Sequence, residues 1–199
     1  FPDTDAADNL ARPTFPPTAA SDGNFYGIRG GGQYEGRYAA VYRIDDLGDQ
    51  SLVYRFQSPE ECVSPSGPMV DLNGRLVGVC GSGGSGTGLA GNIFELSYDG
   101  RFEVLHWFSG GNDGANPAAG LVVRPHDGAL YGLTANGGDF EQGTIFRFDP
   151  DSRAFETVHS FDPESEGYYP NGELAVGPDG VLYGALLNTV DGWETCGTI

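Results

Sequence analysis

The sequence contains no lysine, a single methionine and only three cysteines. No apolar run approaches the roughly 20 residues that a membrane-crossing helix needs, and no basic, apolar leader opens the chain. Membrane insertion of this segment is therefore not expected. Ten basic residues stand against 28 acidic ones, for a formal net charge of −18. That balance argues against nucleic acid and against anionic membrane surfaces, because both reward Lys and Arg. It suits solubility outside the cell.

Acidic loops could also hold a cation, but Asp45-Asp46, Glu60-Glu61 and Asp149-Pro150-Asp151 lack the ligand spacing of an EF-hand. No metal site or other cofactor is assigned, and Ca2+ has no specific motif to bind. There is no Asn-x-Ser/Thr sequon, so N-glycosylation is not expected. Scarce basic residues, one Met and three Cys lean toward an oxidising compartment, with one thiol left over by the odd count.

What the chain does have is 33 glycines and 13 prolines in 199 residues, together with 39% hydrophobic and 12% aromatic residues. The first pair is too high for a helical protein and the second too high for a disordered one, so an all-β fold of short strands and turns is expected. A chain of this length can bury one sizeable core or two small ones.

A period is legible. The turn dipeptides Asp22-Gly23, Asn73-Gly74, Asp127-Gly128 and Asp179-Gly180 are spaced by 51, 54 and 52 residues. After each comes an apolar strand ending in glycine: Phe25-Tyr26-Gly27, Leu76-Val77-Gly78, Leu130-Tyr131-Gly132 and Leu182-Tyr183-Gly184. A glycine-rich loop follows, with Gly31-Gly32, Gly83-Gly84 and Gly137-Gly138 in three units and Asn188 to Gly192 in the fourth. Next is a half-alternating strand, Ala40–Ile44, Asn92–Leu96 or Thr144–Phe148, then a hairpin and a closing strand that ends on Phe56, Phe108 or Phe161.

A further short strand before each turn, clearest in Gly120–Val123 and Gly172–Val176, makes four strands per unit. Proline marks the loop leading into it, at Pro16-Pro17, Pro68, Pro117 and Pro170. Four strands per 50–54 residues is the inventory of one β-propeller blade, with a solenoid as the structural alternative. The expected division is the end of a preceding blade and linker at 1–13, blades at 14–56, 57–108 and 109–161, and an incomplete blade at 162–199. Phe1 aligns with the closing Phe56, and Ile199 with Ile145 inside a third strand. The chain is thus expected to be a segment of a longer protein, or else to be completed by a neighbouring copy.

The Trp-Asp and Gly-His signatures of WD40 blades are absent. Kelch blades are a more distant likeness: they share an apolar strand followed by Gly-Gly, but their later Tyr and Trp are not recovered. The phrases Leu130-Tyr131-Gly132-Leu133-Thr134, Gly137-Gly138, Gly143-Thr144-Ile145-Phe146 and His159-Ser160-Phe161, echoed by Leu182-Tyr183-Gly184 and Cys196-Gly197-Thr198-Ile199, resemble the Gloeo/Verruco (GloVer) tandem-repeat family. The resemblance covers nearly the whole chain, most strongly the third unit. It implies a secreted or surface-displayed bacterial repeat protein and no established reaction, so it transfers no catalytic residues.

Candidate chemistry is sparse. His106 and His159 occupy the same register of successive closing strands, which points to architecture, and His126 lies in a turn. Gly81-Ser82-Gly83-Gly84-Ser85-Gly86 lacks the Lys and following helix of a P-loop. With 28 acidic residues, nominating a glycosidase carboxylate pair would carry no information. Cys62 precedes the first strand of the second blade and Cys80 ends its second strand; in an antiparallel blade these points lie at one end. A Cys62–Cys80 disulfide worth about 3 kcal/mol is therefore expected, and Cys196 would find its partner beyond residue 199.

The loops at that end gather Tyr34, Asn112, Asp113, Asn116, Phe140, Tyr168, Tyr169, Asn171 and Trp193. Aromatic rings stack on pyranose faces while amides and carboxylates take hydroxyls, so this face is the candidate glycan-binding site, although the same residue types also serve in turns. The expected function is a non-enzymatic, extracellular or cell-surface scaffold that is structural, adhesive or glycan-binding. Such a scaffold could self-associate through open blade edges. The alternative is a carbohydrate-active propeller enzyme, a hydrolase or lyase.

Overall fold

In the computed structural model, residues 14–30, 38–83, 90–170, 172–188 and 197–198 are described. The described residues contain no α-helix and form antiparallel sheets that succeed one another along the chain. The first sheet runs β1 (Thr18–Ala19), β2 (Phe25–Arg29), β3 (Ala40–Ile44) and β4 (Gln50–Arg55), in that order. In the second, β5 (Ser64–Pro65) and β6 (Val70–Asp71) both pair with β7 (Arg75–Ser82), followed by β8 (Asn92–Ser97) and β9 (Phe102–Trp107).

The third repeats the second: β10 (Ala115–Pro117) and β11 (Val122–Val123) flank β12 (Leu130–Asn136), then come β13 (Thr144–Phe148) and β14 (Phe155–Ser160). In the fourth unit β15 (Tyr168–Pro170) pairs with β18 (Ala185–Asn188), which pairs with β19 (Gly197–Thr198), while β16 (Ala175–Val176) pairs with β17 (Leu182–Tyr183). This is the all-β, blade-by-blade arrangement of a β-propeller.

Two details depart from the sequence reading. The first strand of the second, third and fourth units is split, and its opening piece contains a proline: Pro117 and Pro170, assigned to loops, sit in β10 and β15, and Pro65 rather than Pro68 sits in β5. Proline fits there because this strand is a sheet edge and owes no donor to an outer neighbour. The split falls where adjacent blades nearly touch: a Cβ on Gly67 would lie 2.1 Å from the Gly120 nitrogen.

The second departure concerns the Tyr-Gly phrase. Its glycine is mid-strand, and β7 and β12 continue past it to Ser82 and Asn136. Gly27, Gly78 and Gly132 pair with Tyr42, Phe94 and Phe146 on the third strand. A Cβ there would lie 2.1 Å from the Tyr42 hydroxyl, or 2.5 Å from Cζ of Phe94 or Phe146. The glycine is the seat of an aromatic ring, which covers backbone that the missing side chain would leave bare. A register shift in the pairing of third and fourth strands recurs beside each ring, at Val41/Tyr42, Ile93/Phe94 and Ile145/Phe146.

The core is layered between blades. One cluster joins Tyr26, Val41 and Phe56 of the first sheet to Met69, Leu76, Phe94 and Leu96 of the second. A second joins Val77, Ile93 and Phe108 to Leu130, Phe146 and Phe148, and a third joins Tyr131, Ile145 and Phe161 to Leu174 and Leu186. Successive strand residues such as Leu76 and Val77 therefore face different layers, because both faces of an interior blade are buried.

The closing phenylalanines anchor this scheme. The amides of Phe56, Phe108 and Phe161 donate to the carbonyls of Ala39, Gly91 and Gly143, each at 3.1 Å. Phe56 meets Phe94 edge-on and Phe108 meets Phe146 likewise, at 5.4 and 5.3 Å between ring centres. At the opposite end from the glycine-rich loops, Asp22 and Asp127 accept hydrogen bonds from Tyr26 and Tyr131, locking the turn to the strand after it. Partial burial opposes ionisation of Asp127, but its hydrogen bonds to Arg124, the Ala129 amide and Tyr131 outweigh that and hold it well below the usual carboxylate range.

Candidate functional site on the loop face

The glycine-rich loop of the third blade is fastened before it presents anything. Gly137 and Gly138 have φ of +77° and +80°, which non-glycine residues rarely adopt, and added Cβ atoms would crowd Gly114 Cα at 2.7 Å and Thr144 Cγ2 at 2.8 Å. The Gly138 amide donates to the Gly111 carbonyl and the Asp139 amide to Ser160 Oγ. Opposite it, the loop from β9 to β10 turns through Ser109–Gly114. The Asp113 carboxylate accepts from the Ser109 amide at 3.0 Å, and Thr157 Oγ1 donates to the Asn112 carbonyl at 2.9 Å.

Between these two loops and β14 lies an open pocket of about 420 Å3, lined by Asn112, Asp139, Phe140 and residues 157–160. The Phe140 ring is half exposed. Of the described residues singled out on this face, Asn112 and Phe140 line the pocket. Asp113 builds the turn beneath it and lies 3.3 Å from His106 Nε2.

Asn116 is committed elsewhere. Its Nδ2 donates to the Gly81 carbonyl of the preceding blade, and its Oδ1 accepts from Asn136. Tyr169 occupies the matching position of the fourth unit; both precede proline and both are left-handed, with φ of +54° and +57°. They belong to the inner strands β10 and β15, away from the pocket, and Tyr168 contributes its backbone to β15. Tyr34, Asn171 and Trp193 lie outside the described residues, as do residues 84–86 of the Gly81–Gly86 loop. Among the described residues no His/Cys/Asp/Glu group has the arrangement of a metal site.

One device was not read from the sequence. In each of three blades a closing-strand side chain meets an acid seven residues on, in the loop to the next blade. Tyr54 donates to Glu61 at 3.0 Å, His106 Nε2 lies 3.3 Å from Asp113, and His159 Nε2 lies 2.6 Å from Glu166. The same rings pack on the following blade: Tyr54 stacks on Phe102 at 5.0 Å, and His106 on Phe155 at 4.0 Å.

Tyrosine in the first of these positions shows that the register calls for a flat polar ring, not for imidazole chemistry. The spacing Tyr54/Glu61, His106/Asp113, His159/Glu166 was the signal that could have revealed it. Burial pushes the His106 imidazole below its ordinary value, against the pull of Asp113.

Cys62 and Cys80 are joined by a disulfide, with 5.6 Å between Cα atoms. It ties the loop entering the second blade to the end of β7. No described helix is long and apolar enough to cross a membrane.

Similar solved structures include the nidogen/laminin complex, at 17% identity and a TM-score of 0.58, covering 85% of this chain and 54% of that one. Virginiamycin B lyase from Staphylococcus aureus matches at 19% identity and a TM-score of 0.58, over 92% of this chain and 54% of the lyase. A putative 6-phosphogluconolactonase from Bacteroides uniformis matches at 18% and 0.52, over 88% and 50%. The chain thus spans about half the length of these structures. At such identities the likeness speaks for the fold, which is that of β-propeller proteins.

No curated protein sequence matches the chain. A family model does, over residues 3–199. The chain belongs to the Gloeobacter/Verrucomicrobia repeat family.

Proposed function

We propose that the chain is a non-catalytic, extracellular propeller scaffold that binds carbohydrate at the rim of its third blade. The observation that carries this reading is the open pocket whose lining combines a half-exposed Phe140 with Asn112, Asp139 and Ser160. Its volume of about 420 Å3 falls in the range of small-ligand sites and suits one or two pyranose rings. The aromatic face supplies the apolar contact of a sugar and the polar groups its hydroxyl partners. Acidity, the disulfide and the absence of lysine support an extracellular setting.

Against catalysis stands the repetition of the titratable pairs. His159 with Glu166 would be the natural acid–base pair at this rim, yet Tyr54 with Glu61 fills the same place in the first blade. A glycan array probed with the wild-type chain and with Phe140→Ala tests the reading. Binding to a defined set of glycans that the variant loses supports it. Equal binding by both proteins, or turnover of a polysaccharide by the wild type, overturns it.

A further inference from the structure

The chemistry of the pocket narrows its ligand. Asp139 carries the one formal charge in the lining outside the His159–Glu166 pair, and among the described residues its carboxylate has no hydrogen-bond or ion-pair partner. The Asp139 amide, by contrast, is fixed on Ser160 Oγ, so the side chain is held at the pocket without being consumed by the fold. No arginine lines the pocket, and the chain has no lysine to send there.

The described arginines nearest in sequence are engaged at the far end: Arg124 and Arg147 with Asp127, and Arg153 with Glu103. A uronate or sulfated sugar would find no counter-charge except the His159 imidazole, which already faces Glu166, and would enter the field of a chain of net charge −18. A protonated amine would meet both a free carboxylate and the face of an exposed aromatic ring, two groups that attract cations.

Resting on the carbohydrate reading above, we propose that the pocket at Asp139 and Phe140 takes a sugar bearing a free ammonium group, a 2-amino-2-deoxy pyranose, in preference to its N-acetylated, neutral or acidic counterparts. The pyranose face lies on Phe140, the ammonium on Asp139, and the ring hydroxyls reach Asn112 and Ser160. Acetylation of the amine removes the charge and adds bulk at the position where the carboxylate waits.

The test is calorimetric titration at near-neutral pH with chitosan and chitin tetrasaccharides, which differ in their acetyl groups alone. The deacetylated oligomer is expected to bind about fivefold more tightly, the size of a partly exposed ion pair. Asp139→Asn should abolish that preference, so that the two oligomers bind it equally; the Asp139 backbone amide and its bond to Ser160 survive the change. Asp46→Asn removes the same charge from the hairpin at the opposite end and should leave the preference intact; thermal melts check that both variants are folded.

Equal binding of the two oligomers, or a preference that persists in Asp139→Asn or disappears in Asp46→Asn, overturns the inference while leaving the carbohydrate reading in place. Failure of both oligomers to bind, alongside binding of a neutral glycan that Phe140→Ala loses, overturns the inference alone. Failure of every glycan overturns both.

Discussion

The second and third blades close the same joint in different ways. Cys62 and Cys80 correspond by repeat position to Gly114 and Thr134. In the second blade the two positions are bonded through sulfur. In the third, Gly114 (φ +86°) comes so close to Thr134 that an added Cβ would sit 2.2 Å from its Oγ1. That hydroxyl is 2.8 Å from the hydroxyl of Thr144 and accepts the Thr144 amide at 3.0 Å.

A buried polar pair and tight backbone contact thus do by packing what the disulfide does covalently. The blade architecture does not need the cysteines. The open pocket described above lies at the blade without them. Repeated residues build the blades, and the binding proposed above rests on residues that are not repeated.

The comparison is broken most severely through the element the two blades share. Gly132→Ala puts a Cβ 2.5 Å from Phe146 and 2.9 Å from Leu121, and is expected to destabilise by about 3 kcal/mol through overpacking. Gly128→Ala meets no atom within 4 Å and bears only its left-handed φ of +68°; it should cost about 1 kcal/mol. Denaturant melts of the pair separate a glycine needed as a seat from one needed as a turn.

Next in size is the joint itself. Removing the disulfide with Cys62→Ser and Cys80→Ser opens a link across 18 residues, with an expected loss of about 2 to 3 kcal/mol. Thr134→Val strips from the third blade's version the hydroxyl that meets both the hydroxyl and the amide of Thr144 in the core, at a cost of about 2 kcal/mol. If Thr134→Val has no effect, the two joints are not equivalent.

A smaller effect is read in pH. His106 titrates below its ordinary value of 6.5 in the folded chain, so the unfolded chain binds its proton first. The stability it contributes is complete above about pH 6.5 and falls as acid drives the pH down toward the folded value. His106→Tyr, which copies Tyr54 in the first blade, should flatten the difference between melts at neutral and mildly acidic pH. An unchanged pH slope would show that imidazole burial is not its source. The smallest stability effect belongs to Phe140→Ala, within about 0.5 kcal/mol of wild type because the ring is half exposed, although ligand binding should be lost.

Much of this was legible in the chain, in specific places. The spacing of the Asp-Gly and Asn-Gly turns, the closing phenylalanines and the pairing of Cys62 with Cys80 could be read because each is a local or periodic signal. The role of Gly132 could not: its partner Phe146 lies on another strand, and only the register brings them together. Asn112 and Asn116 look alike as loop asparagines. What separates them is the Gly81 carbonyl, 35 residues from Asn116 and in another blade, which consumes the Asn116 amide, while the Asn112 side chain has no hydrogen-bond partner among the described residues. Sequence offers residue types for a binding face; spare valence is decided by the fold.

Hydrogen–deuterium exchange with and without a bound glycan tests the central claim, that blades repeat their structure and bind through what is unrepeated. Protection on binding confined to residues 109–113, 139–141 and 157–160 is the predicted result. Protection that recurs at the matching positions of the second blade, or that falls on the inner strands at 115–117 and 168–170, would contradict it.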